Sequence, residues 1–207
     1  MRVLDLFAGT GSSTEAFADA GHQVITVEMD PSFPATITAD IMELEADDLK
    51  GYGPFDFIWA SPPCTAFSVA SISYHWEIID GKHIPKTAAA VYSQEVVAHT
   101  LKLINELQPR YWMMENPRGK LRKLDVVANL PRTTVTYCQY GDDRMKPTDL
   151  WGHFPPSWEP KSCSNGDTCH VSAPRGSQTG TQGLKGAKLR SRVPYGLSQS
   201  LLEAMGG

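Results

Sequence analysis

Short apolar runs alternate with segments of helical periodicity along the amino-terminal part of the chain. Val3-Leu4-Asp5-Leu6-Phe7 reads as a buried strand, Ser12 to Ala20 spaces Phe17 and its alanines as a helix does, and Gly21 supplies a stop. Gln23 to Val27 resumes as a strand. A short apolar run at Ala35 to Ala39 and a strand at Phe55 to Ala60 follow. A long helix over Thr87 to Leu107 turns Val91, Val97, Leu101 and Ile104 inward, and Tyr111 to Met114 is another strand. Strands alternating with helices predict an α/β fold, a doubly wound, mostly parallel sheet with helices on both faces. Ligands in such sheets bind at the carboxyl ends of the strands. Gly9, Asp40, Cys64 and Glu115 each stand at or just past a predicted strand end, so the pattern places them around one crevice.

Beyond Asn129-Leu130-Pro131 the pattern changes. Arg132 to Gln139 predicts one more strand, whereas Phe154 to Arg192 is rich in Gly, Pro, Ser and Thr. A loop of that length in a compact domain is functional or braced, for example by a metal. Tyr195 to Met205 regains helical spacing through Leu197, Leu201, Leu202 and Met205. No internal repeat interrupts the chain.

Length and composition fit one main domain: 207 residues, 41% hydrophobic, bury a single core. A formal net charge of -4 argues against wholesale electrostatic binding of nucleic acid. The charge is nevertheless uneven, because Lys161 to Arg192 carries six Lys or Arg and only Asp167 as an acid. Such a tract meets phosphates or is a solvated loop. No apolar run approaches the roughly 20 residues of a membrane span. The chain starts directly with a strand, leaving no room for a signal peptide, so a reducing cytoplasm and free thiols are expected. Cys64 and Cys138 stand isolated, whereas Cys163, Cys169 and His170 crowd together.

Gly9 and Gly11 with small Ser12 and Ser13 make a turn that a ligand can approach closely, ahead of a helix start. Gly-x-Gly pairs after a first strand serve nicotinamide, flavin and S-adenosylmethionine enzymes alike, and some only turn the chain. Glu28 is placed to accept hydrogen bonds from ribose hydroxyls and Asp40 from an adenine amino group; either is otherwise a solvated strand end. Cys64 follows two prolines, whose fixed backbone holds a sulfur in place as a nucleophile requires. Glu115, in Met113-Met114-Glu115-Asn116-Pro117, sits in an apolar setting that raises a carboxyl pKa and lets it donate a proton.

The ordered set DLFAGTGSST, VEMD, TADI, SPPC and ENP resembles the DNA cytosine-5 methyltransferases over most of residues 1 to 120, most specifically in Pro63-Cys64 and Glu115-Asn116. The resemblance implies a Rossmann-like domain that uses S-adenosyl-L-methionine. Cys64 would add to carbon 6 of a cytosine flipped out of DNA, while Glu115 bonds the base edge and assists protonation. It also implies that Phe7, Ala8, Gly9, Gly11, Ser12, Glu28, Met29, Asp40, Ile41 and Pro62 hold the cofactor. Tyr140-Gly141 with Arg144 and Lys146 is similar, without the Gln, to the family's Gln-x-Arg-x-Arg segment near the base, which makes Arg144 a catalytic aid. Arg192-Val193-Pro194-Tyr195-Gly196-Leu197 is similar to its closing motif, whose helix packs beside the first glycine turn.

On that basis residues 1–149 form the catalytic and cofactor-binding domain, 150–191 a small target-recognition region and 192–207 a returning helix. So short a recognition region resembles that of small phage-encoded members, and implies short, relaxed or partner-supplied sequence readout by a monomer in a bacterial host. Within it, Cys163, Cys169 and His170 offer three ligands of a structural zinc site, with His153 the nearest fourth. Trp151, Trp158, Lys185, Lys188, Arg190 and Arg192 are placed to stack on bases or neutralise DNA phosphates, although Trp residues more often pack a core and the basic residues carry this reading. Methylation of an exocyclic amine is disfavoured, because Cys64 stands where an aromatic residue would stack. Two other readings stay open: the same chemistry on RNA or a free nucleotide, and a non-catalytic DNA-binding module.

Overall fold

The computed structural model describes residues 1–171 and 186–207. In chain order, β1 (Arg2–Leu6), α1 (Glu15–Asp19), β2 (Gln23–Glu28), β3 (Ile37–Thr38), α2 (Ala46–Lys50) and β4 (Phe57–Ala60) come first. Then follow α3 (Ile72–His75), β5 (Trp76–Ile79), β6 (Lys82–Pro85), α4 (Ala88–Leu107), β7 (Tyr111–Pro117), β8 (Arg132–Thr136), β9 (Pro147–His153), α5 (Ala187–Ser191) and α6 (Tyr195–Ala204). One seven-stranded sheet has the order β3-β2-β1-β4-β7-β9-β8, and β5 and β6 form a separate hairpin. All the sheet's pairs are parallel except those made by β9, which runs antiparallel to both β7 and β8.

Every residue of β4 is buried, as a central parallel strand covered on both faces must be. Alternation along the strands sends Leu4, Leu6, Ile58, Ala60 and Met114 into the core under α4. Val3, Phe57, Trp59 and Met113 go to the other face, against Phe17 of α1 and Leu197, Leu201 and Leu202 of α6. Thr87 caps α4 by accepting from the Ala90 N–H, and Gln108 ends it in the left-handed conformation. Its buried stripe runs through Ala90, Val96, Val97, Thr100, Leu103 and Ile104. Val91 is 42% exposed and not inward, because Ala90, about 100° away around the helix, takes the buried position.

The chain after β7 departs most from expectation. The strand at Arg132 ends at Thr136, because Tyr137–Tyr140 close into a 3-10 turn that Gly141 terminates with φ 95°. Strand β9 was not foreseen, since Pro147, Asp149 and Gly152 are residue types depleted from strands. Each has a local reason here: Pro147 begins the strand, and a Cβ at Gly152 would overlap the Trp112 carbonyl. Asp149 is fully buried and accepts from Arg122 Nε at 2.8 Å, while Arg122 Nη2 and the Thr134 hydroxyl meet its other oxygen. Trp151 and Trp158 do not offer faces to bases: both are core residues, and Trp158 Nε1 donates to Ser200 Oγ at 3.1 Å.

The turn after β1 is fixed from below by Asp5. Its buried Oδ2 accepts from the Ser13 and Thr14 hydroxyls at 2.7 and 2.8 Å, so α1 starts at Glu15, later than the apolar spacing suggests. Among the described residues, no helix is long and apolar enough to cross a membrane.

Arg122→Ala leaves the Asp149 carboxylate buried without its ion pair and is expected to cost about 3 kcal/mol in urea unfolding. A cost below about 1 kcal/mol would show that Asp149 is satisfied without it. Burial raises the Asp5 pKa from 3.8 to about 6 against the pull of the two hydroxyls. Its ionisation therefore opposes folding: the contribution is fully present below the unfolded pKa and is lost as pH rises through the folded one. Asp5→Asn is expected to gain about 3 kcal/mol on the wild type between roughly pH 4 and pH 7. Parallel pH profiles for the two proteins would contradict this.

Candidate active site

Past β1 the backbone enters the left-handed region at Phe7, Gly9 and Gly11, with φ of 64°, 51° and 72°. A Cβ on either glycine would meet nothing within 4 Å, so the space over the turn is open while its backbone conformation still favours glycine. Glu28, at the end of β2, is held against this turn: its Oε2 accepts from the Gly9 N–H at 2.9 Å and its Oε1 from the Asp30 N–H at 3.0 Å. Asp40 accepts from the Met42 N–H at 3.0 Å through one oxygen, and Tyr92 OH donates to the other at 3.4 Å. Met29 is exposed beside Glu28, whereas Ala8, Ile41 and Pro62 are buried. Ser12 is engaged by the tail, its hydroxyl accepting from the Val193 N–H at 3.0 Å. An open glycine turn flanked by two oriented carboxylates suits a ligand with ribose hydroxyls and an amino group.

The thiol lies one strand over. Asn116 of β7 donates from Nδ2 to the Pro62 carbonyl at 3.0 Å, a buried bond that ties Ser61-Pro62-Pro63-Cys64 to the neighbouring strand. The Cys64 carbonyl then accepts from the Phe67 and Ser68 N–H groups, both at 2.9 Å, closing a turn. Burial pushes the half-buried Cys64 thiol up, the Glu115 carboxylate adds to this, and Lys146 and Arg190 oppose it.

Glu115 is buried within β7, opposite Leu150 of β9, and does not lie past the strand's end. Tyr137 OH donates to its Oε1 at 2.9 Å. Ser61 bonds it too and itself accepts from Trp59 Nε1 at 2.7 Å. Burial raises the Glu115 pKa against the pull of Lys146, Tyr137 and Ser61. The carboxyl is thus oriented by two hydroxyls and poised to carry a proton.

The cation of this site is Lys146. Its Nζ sits 4.3 Å from the Tyr137 ring centroid and donates to the Arg190 carbonyl at 3.0 Å; burial lowers its pKa while Glu115 and Cys64 raise it. Arg144, expected as the aid, pairs with Asp142: its backbone N–H and Nε both donate to Asp142 Oδ1 at 2.8 Å and its Nη2 pairs with Oδ2, while its buried Nη1 has no hydrogen-bond partner among the described residues. The carboxylate two residues upstream captures the guanidinium, leaving the later basic residue beside the acid. The Arg-x-Lys spacing was the available signal, and only the Asp142 pairing decides between its members.

Lys185 and the Lys188 side chain lie outside the described residues. Arg192 is exposed, with its Nη2 3.7 Å from Glu15 Oε2, and Arg190 contributes its carbonyl to Lys146. Cys163, Cys169 and His170 do converge, but the fourth member is Cys138: the donor atoms all lie within 4.8 Å of one another. His153 ends β9 with its ring edge-on to Tyr111 at 5.6 Å, in a different place. Cys138 is therefore not isolated. The 25-residue gap to Cys163 is closed by the Thr136 N–H donating to the Lys161 carbonyl at 3.2 Å and the Cys163 N–H to Thr136 Oγ1 at 2.9 Å.

The family model for C-5 cytosine-specific DNA methylase matches residues 1–128. A protein of frog virus 3 (isolate Goorha) described as a probable DNA (cytosine-5)-methyltransferase is 31% identical over 222 residues, covering 98% of this chain and 99% of its own. Type II methyltransferase M.XorII of Xanthomonas oryzae pv. oryzae is 27% identical over 132 residues, 56% of this chain and 28% of its own length. Among solved structures, a protein described as a DNA modification methyltransferase encoded within an E. coli prophage superposes with a TM-score of 0.53 at 20% identity, over 79% of this chain and 52% of its own. Entamoeba histolytica methyltransferase EhMeth gives 0.55 at 10% identity, over 79% of this chain and 57% of its own. The likeness to these structures shows the shared fold, and the chain spans about half the length of each. With the Rossmann-like sheet and a match over most of the chain, the protein belongs to the C-5 cytosine-specific DNA methylases, which transfer a methyl group from S-adenosylmethionine to cytosine in DNA.

Proposed function

We propose that Cys64 is the nucleophile and Glu115 the proton donor in methylation of cytosine carbon 5, with the base flipped out of the DNA. The observation that carries this reading is the buried Glu115, bonded by Tyr137 and Ser61, on the strand whose Asn116 anchors the loop of Cys64. Cys64 is half-buried, so carbon 6 of a base stacked in a duplex is out of its reach and extrusion is required.

The thiol rests protonated, and the ammonium of Lys146 favours its ionisation as the base arrives. The sulfur bonds carbon 6 while Glu115 gives a proton to the ring nitrogen beside the exocyclic amine, so the displaced electron pair makes carbon 5 nucleophilic. S-adenosylmethionine, when bound, supplies the methyl group that carbon 5 takes. Loss of the carbon 5 proton to a base then expels the thiolate, and Glu115 recovers its proton as the ring becomes aromatic. The glycine turn from Phe7 to Ser12 would hold the cofactor, with Glu28 available to its ribose hydroxyls, Asp40 to its adenine amino group, and Met29, Ile41 and Pro62 as apolar walls. Residues 150–191 form the recognition region, whose first residues complete β9 and whose basic residues Lys185, Lys188 and Arg190, with Arg192 just beyond it, meet phosphates.

Cys64→Ser is expected to abolish methyl transfer while leaving cofactor affinity largely intact, measured by calorimetry beside a methylation assay. A duplex carrying 5-fluorocytosine should trap wild-type protein covalently, because carbon 5 then has no proton to lose; active protein that forms no adduct would count against the thiol. Tyr137→Phe removes a donor that favours the Glu115 carboxylate and so raises its pKa further. The alkaline limb of kcat/KM is expected to move to higher pH, and a limb that stays in place would remove Glu115 from the donor role.

A further inference from the structure

Every cysteine other than Cys64 belongs to one cluster. Cys138 lies in the 3-10 turn after β8; Cys163, Cys169 and His170 come from a stretch with no regular secondary structure that crosses over that turn. Sγ of Cys138 is 3.3 Å from that of Cys163 and 3.6 Å from that of Cys169. His170 Nδ1 is 3.7 Å from Cys163 Sγ and 3.5 Å from Cys169 Sγ. A tetrahedron with Zn–S bonds of about 2.3 Å and a Zn–N bond of about 2.0 Å has S···S edges of about 3.8 Å and S···N edges of about 3.5 Å. These four edges of the cluster fall within about 0.5 Å of those values, and all its donor atoms lie within 4.8 Å of one another. A disulfide would bring two sulfurs to about 2.05 Å and would leave the other two donors without a common partner.

We propose that Cys138, Cys163, Cys169 and His170 bind one structural Zn2+. Three thiolates and one imidazole at tetrahedral spacing select zinc among the common divalent ions, and four protein donors close the coordination shell, so the ion is structural. The site fastens the segment from Lys161 to Val171 over the turn that carries Tyr137. Backbone bonds already follow this path: the Lys161 N–H donates to Tyr140 OH at 2.8 Å and the Val171 N–H to the Asp143 carbonyl at 3.0 Å. The metal thus braces both the entry to the recognition region and the turn that positions the hydroxyl on Glu115. Its binding is independent of the methyl-transfer reading, since none of its ligands takes part in that chemistry.

The test is metal analysis of the untagged full-length chain, purified with a thiol reductant after growth with added zinc. Roughly one Zn2+ per chain is expected in the wild type, in Cys64→Ser and in His153→Ala, with near-complete loss in Cys138→Ser and Cys169→Ser. Cobalt exchanged into wild-type protein should give the intense d–d and thiolate charge-transfer bands of a tetrahedral sulfur-rich site, and chelation should lower Tm. Wild-type protein without stoichiometric metal, or with a Cys138–Cys163 disulfide under the same reducing conditions, overturns the proposal even if a cysteine variant fails to fold. Loss of the metal in His153→Ala would overturn the ligand set.

Discussion

The hydrogen bond from Asn116 to the Pro62 carbonyl is the constraint on which the site depends. Strands β4 and β7 are parallel neighbours, so their carboxyl ends emerge on the same edge, but parallel pairing alone does not fix the loops that follow. The buried amide joins the loop after β4 to β7 at the residue next to Glu115. With two prolines stiffening that loop, the thiol and the acid share one frame. The same contact gives the neighbours Glu115 and Asn116 separate parts in the proposed reaction: one would carry the proton while the other locates the thiol.

The electrostatics of the site follow from burial more than from pairing. Removal from water raises both Cys64 and Glu115, the Glu115 carboxylate adds to the rise at Cys64, and Lys146 moderates both. Such a site rests with its thiol protonated and its carboxyl poised. This suits a reaction that consumes a thiolate and a proton together, and keeps the sulfur unreactive while it stays protonated.

Much of this was legible in the sequence because it lies in parallel strands and their turns. Apolar runs of strand length marked β1, β2, β4 and β7 and a shorter one marked β3, and Gly9, Glu28, Asp40 and Cys64 fell at or just past the ends of β1, β2, β3 and β4. What could not be read depends on contacts between distant segments. Strand β9 breaks propensity with Pro147, Asp149 and Gly152, and is accommodated by its pairing with β7 and β8, by Arg122 on Asp149 and by the Trp112 backbone against Gly152. Arg144 and Lys146 are equivalent by spacing until Asp142 takes one of them. Cys138 joins Cys163 only through the bonds at Thr136, and Trp151 and Trp158, plausible as base platforms by type, fill the core.

The central claim is that Cys64 and Glu115 are electrically coupled neighbours. The most direct test is the pH dependence of Cys64 alkylation by iodoacetamide, followed by peptide mass spectrometry in wild-type and Glu115→Gln protein. Removing the negative charge should make the thiol more acidic and move the alkylation midpoint to lower pH. A midpoint that does not move would mean that thiol and carboxyl do not share a site.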